Sequence, residues 1–158
     1  MARIELSEEE HLMAAVAGVF RRVRSVALGK KDNAGHDGKD VWTNEIEGCC
    51  AEMAAAKCLG VYWSGQMGEK ARDILGFEVR STTHENGRLI VRRNDPDDVP
   101  FLLVVGQLGK YDAIGWIYSK DAKRDEWLAD PNNRFNGDRS KMSYFVPQAA
   151  LNKTRPPK

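Results

Sequence analysis

A chain of 158 residues has the length of one domain with a real core. Its 42% apolar and 30% charged residues are ordinary for a globular protein, and a net charge of +1 excludes a global basic field, so any nucleic-acid binding must come from a local patch. No apolar run is long enough to span a bilayer, and Met1-Ala2-Arg3-Ile4-Glu5 opens no secretory leader, so the expectation is a cytoplasmic protein with no membrane partner.

Ser7, with Glu10 three residues later, makes a capping box and starts a helix over 7–27. Leu12, Val16, Val19, Phe20, Val23 and Val26 recur at helical spacing, which predicts that this face packs inward. Arg21, Arg22 and Arg24 in the last turns either complement the helix dipole or contact phosphate. Residues 28–42 are polar and glycine-rich and read as a flexible loop, although Lys30, Lys31 and His36 would also suit a flap over a ligand. A second helix is predicted from near Asn44, with Glu47 at the capping-box position, through Glu52 to a stop at Gly60. Its alanines permit close approach to a sheet, and Glu45, Cys49 and Glu52 share one face. Cys49, Cys50 and Cys58 are odd in number and fit no zinc spacing, so reduced, mostly buried thiols are expected.

Strands dominate the next section. Phe77 to Thr82 is one run, Asn86-Gly87 signals a hairpin turn, and Arg88 to Arg93 reads as the returning strand. Phe101 to Val105 is continuously apolar, as expected for a central strand buried on both faces. Tyr111 to Tyr118 follows, Asp121 caps a short helix to Trp127, and 129–158 reads as irregular with a basic end. Trp116 is expected in the core, and Trp63 is the better candidate for exposure. The whole predicts a single α+β (mixed α/β) domain, a mostly antiparallel sheet flanked by helices, with its core over 43–128.

The chemistry concentrates in Asp73-Ile74-Leu75-Gly76-Phe77-Glu78-Val79-Arg80, read with Glu52 on the preceding helix. On a strand, Glu78 and Arg80 share a face and Val79 takes the other. Carboxylates converging from several elements beside a cation are the usual way to hold Mg²⁺ against a phosphate. The plainer alternative makes Asp73 a turn residue and Glu78–Arg80 an exposed pair worth ~0–1 kcal/mol. Arg88, Arg92 and Arg93 would form a basic rim joined by Lys30, Lys31, Lys153, Arg155 and Lys158, or would simply protect a sheet edge. His84, beside the turn, is close enough in sequence to Arg80 to meet a phosphate, but a turn histidine usually has no chemical role.

Glu52, then Asp73, then Glu78-Val79-Arg80 resembles the active-site layout of the PD-(D/E)XK nuclease superfamily, the restriction-endonuclease-like fold, over roughly residues 44 to 118. Asp73 to Thr82, Leu89 to Arg92 and Gly115-Trp116-Ile117 are also similar to small uncharacterised proteins of bacterial viruses. The resemblance implies a restriction-endonuclease-like core and Mg²⁺- (or Mn²⁺-) dependent hydrolysis of DNA phosphodiester bonds. Glu52, Asp73, Glu78 and the Val79 carbonyl would be metal ligands, with Arg80 as the catalytic cation. It implies DNA ahead of RNA as partner, a host or phage protein or a second copy beside it, and host cytoplasm as the place of action. Two departures stand out. Arg80 occupies the usual lysine position and cannot serve as a general base. The gap from Asp73 to Glu78 is short, and the following strands read as a hairpin series rather than a crossover helix and parallel strand. The alternative is a nuclease-like fold that has lost its chemistry and acts by binding nucleic acid or blocking a host factor.

Overall fold

The computed structural model describes residues 3–29, 40–65, 73–74, 76–131 and 133–153. In chain order these form β1 (Arg3–Glu5), α1 (Glu8–Ala27), α2 (Asp40–Leu59), β2 (Glu78–Thr82), β3 (Leu89–Val91), β4 (Pro100–Gln107), β5 (Lys110–Tyr118), α3 (Ser119–Ala122), β6 (Leu128–Ala129) and β7 (Ser143–Val146). One sheet has the order β1-β5-β4-β2, and a second has the order β3-β7-β6. Every described strand pair except β2–β4 is antiparallel. The fold is therefore α+β with mostly antiparallel sheets. No described helix is long and apolar enough to cross a membrane.

Alternation along β4 separates two cores. Leu102 and Val104 join Val79, Tyr111, Trp116 and the alanine face of α2 on one side. Phe101, Leu103 and Val105 join Leu89, Val91, Tyr144 and Val146 of the second sheet on the other. The layers are thus α1, α2, first sheet, second sheet. The α2 helix stops at Gly60 (φ +65°), where the N–H groups of Gly60 and Val61 donate to the carbonyls of Lys57 and Ala56, the double bond of a Schellman cap.

Several expectations are corrected. The capping box at Ser7 forms, but the apolar stripe of α1 does not pack inward: Leu12, Val16, Val19, Phe20, Val23 and Val26 are exposed, and Ala14 and Gly18 are the buried residues. Small side chains win because they let two helix backbones touch. A Cβ on Gly18 would lie 2.6 Å from the Cα of Ile46 and 2.7 Å from the carbonyl of Glu45. Gly18→Ala is expected to lower stability by about 1–3 kcal/mol in urea unfolding, even though alanine is the better helix former. A stabilised variant would mean that the α1–α2 contact is loose.

The second helix begins at Asp40, not near Asn44. Glu47 is no cap: it accepts from the Leu108 N–H and from the Tyr111 hydroxyl (2.6 Å). The turn at Asn86-Gly87 forms, yet β2 and β3 are not a hairpin. Instead β2 runs parallel to β4, with Glu78 opposite Phe101, while β3 pairs with β7. Leu89 and Val91 are fully buried in the second core, and that burial draws the strand away from β2. Residues 129–158 are not all irregular: β7 is the middle strand of the second sheet, and Asn152 bridges Trp116. Tyr118, not Asp121, precedes the short α3.

Candidate functional site

Asp73 and Glu78 lie at β2, the last strand of its sheet among the described residues, and Glu52 comes from α2. Asp73 stands beside β2, where its Oδ2 accepts the Val79 N–H at 2.7 Å. A short antiparallel bridge between Ile74 and Phe77 turns the chain back and sets this contact. Glu52 approaches from α2, on the face that receives Val79. Glu78 and Arg80 take the opposite face, as alternation requires, and are paired at 3.6 Å. Arg80 lies 4.9 Å over the Phe101 ring and 3.7 Å from Asp95.

Glu52 is only 6% exposed, so its charge must be met. Both terminal guanidinium nitrogens of Arg21 donate to it, Nη1 to Oε1 and Nη2 to Oε2 at 2.7 Å, and the Trp63 indole donates to Oε2 at 3.1 Å. Burial alone would lower the Arg21 pKa, but the two bonds from Glu52, with the charges of Glu52 and Asp73, raise it above the ordinary arginine value. Trp63 is accordingly half-buried and hydrogen-bonded rather than exposed.

The Asp73 carboxyl is strongly perturbed. Burial pushes its carboxyl up to about 7, and the charges of Glu52 and Glu78 push the same way, against the Val79 hydrogen bond and Arg80. The Asp73 carboxyl therefore feels the charges of both Glu52 and Glu78. The donor chemistry, hard carboxylate oxygens, suits Mg²⁺. Glu52, however, is held in the grip of Arg21, and among the described residues no three His, Cys, Asp or Glu side chains stand together in a metal-holding arrangement.

Arg88, Arg92 and Arg93 are exposed, but they flank β3 in the second sheet and are not on a strand paired with Glu78 and Arg80. Arg92 and Arg93 line an open groove of roughly 700 Å³ with Arg134, Lys141, Phe135 and Phe145. Beside the groove, Asp95 Oδ2 accepts the backbone N–H of Arg92 (2.8 Å) and lies 3.7 Å from Arg80. Lys153 donates to the carbonyls of Ile114 and Gln148, a structural use. Lys30, Lys31, His36, Arg155 and Lys158 lie outside the described residues. His84 is exposed. Burial raises the Cys49 and Cys50 thiols to about 12 and about 11, which keeps both protonated.

Sequence reasoning missed Arg21, Trp63 and Asp95 as members of the site. One signal was available for Arg21: Ala14, Ala17, Gly18 and Arg21 share one helix face, and its small residues mark the side that packs. Asp95, inside an acidic loop, carried no pattern of its own. No protein-family model, no curated protein and no solved structure matches this chain.

Proposed function

We propose that this protein is a Mg²⁺-dependent nuclease of the restriction-endonuclease-like kind, hydrolysing DNA phosphodiester bonds at the edge of β2. The supporting observation is Asp73, bonded to the Val79 amide of β2 and raised in pKa by burial and by the charges of Glu52 from α2 and of Glu78 on the strand, with Glu78 paired to Arg80. In this reading Asp73 and Glu78 hold the ion, and Glu52 joins them when Arg21 releases it. A bound Mg²⁺ supplies positive charge against the scissile phosphate. Arg80 would face the phosphate and steady the charge that develops on it. Arg92, Arg93, Arg134 and Lys141 position the DNA backbone along the groove.

A second reading has its own observation. The two-bond grip of Arg21 already neutralises Glu52, which suits a nuclease-like fold that binds nucleic acid or a host protein without cutting. Incubation with labelled single-stranded, double-stranded and branched DNA in Mn²⁺ separates the two. Cleavage that falls at least 100-fold in Asp73→Asn and Glu78→Gln is expected. Binding that weakens in Arg92→Ala/Arg134→Ala, with no cleavage of any substrate, would establish the second reading instead.

A further inference from the structure

Of the twelve large apolar side chains exposed among the described residues, seven lie on α1. Leu12, Val16, Val19, Val23 and Val26 follow one another at spacings of four, three, four and three residues, the repeat of paired helices. Met13 and Phe20 flank this seam, and the seven are 38–66% exposed. The opposite face, Ala14, Gly18 and Arg21, is spent on α2. The stripe is therefore not a core face displaced by a poor fit; it is a second face left open.

Its size and charge say what covers it. With Leu28 at the helix end (61% exposed), these side chains present on the order of 800 Å² of apolar surface, above the ~300–600 Å² of the largest patch on a typical monomer and equal to one partner's share of a stable complex. The first turn of α1 offers Glu8 and Glu9, while Glu10 is paired with Lys57 of α2, and its last turns carry Arg22 and Arg24. Two α1 helices laid antiparallel bring the acidic end of each beside the basic end of the other, and their dipoles also oppose. A parallel pair would set acid against acid. A stripe that is uniform in its middle and opposite in charge at its ends is complementary to itself under a two-fold axis.

We infer that a second copy of this chain docks on the Leu12–Val26 face of α1, helix against helix in antiparallel order. This holds whether or not the β2 edge cuts DNA. The test uses the full chain in sedimentation velocity across the micromolar range. A species of twice 17.7 kDa is expected, and Val16→Glu/Val23→Glu should sediment as a monomer with an unchanged circular dichroism spectrum, because both positions are already solvent-facing in the protomer. A wild-type monomer at every concentration, or a glutamate variant that still dimerises, would overturn the inference. In a Cys58→Ser background, mixed Leu12→Cys and Val23→Cys proteins should form the mixed disulfide on oxidation. Leu12→Cys linking mainly to itself would overturn the antiparallel order.

Discussion

Replacing Arg21 by alanine is expected to cost about 3–5 kcal/mol of stability in urea unfolding. The carboxylate of Glu52 on α2 is buried, and Arg21 of α1 donates one bond to each of its two oxygens. Without the guanidinium, Glu52 keeps only the Trp63 indole among the described residues, with the Asp73 carboxyl still nearby. The cost is that of a buried charge left without a counter-charge, not of a contact removed. Arg21→Lys should fall between, because an ammonium restores the charge but not the two-pronged geometry. Arg21→Met combined with Glu52→Leu should regain most of the loss, since apolar replacement of both partners removes the desolvation cost as well. A loss below about 1 kcal/mol for Arg21→Ala would show that water screens the pair as it screens surface pairs.

The contrast between α1 and β4 shows how far sequence reaches in this fold. The apolar run Phe101 to Val105 has only one reading, a strand buried on both sides, and β4 is that strand. The α1 helix has an apolar face and a small-residue face, and either can pack. Hydrophobicity argues for the first, close backbone approach selects the second, and only the shape of α2 around Ile46 decides. The same limit applies to strand pairing. Asn86-Gly87 predicts a tight turn, which forms, but a turn does not oblige the strands beside it to pair when Leu89 and Val91 can be buried against β7. At the site, the period of a strand gave the shared face of Glu78 and Arg80 correctly. It gave no hint that Glu52 approaches the other face of β2, or that an arginine from the first helix reaches it, because such contacts depend on the stacking of layers.

Asp73→Asn is expected to change the pH dependence of stability most. In the folded protein the Asp73 carboxyl titrates near 7 instead of its ordinary 3.8. Between about pH 4 and 7 the folded state therefore holds a proton that the unfolded chain has released. Stability then falls as pH rises through this window, by at most about 4 kcal/mol, and the full penalty is present above 7. Asparagine cannot ionise and still offers an oxygen to the Val79 amide. The variant should be more stable than the parent at pH 8, by about 2–4 kcal/mol, and should converge with it near pH 4. Parallel stability curves across pH would mean that Asp73 ionises as an ordinary surface acid.

A divalent cation bound beside Asp73, as proposed, would reverse that penalty, since its charge favours the ionised carboxylate. The most direct measurement is the melting temperature at pH 8 with and without Mn²⁺ or Mg²⁺, for the parent, Asp73→Asn and Glu78→Gln. With the ion at ~100 times its dissociation constant, the parent should gain about 5–10 °C, and both variants should lose that gain. A parent protein whose melting temperature does not move in millimolar Mn²⁺, or variants that gain as much as the parent, would contradict a cation site at the edge of β2.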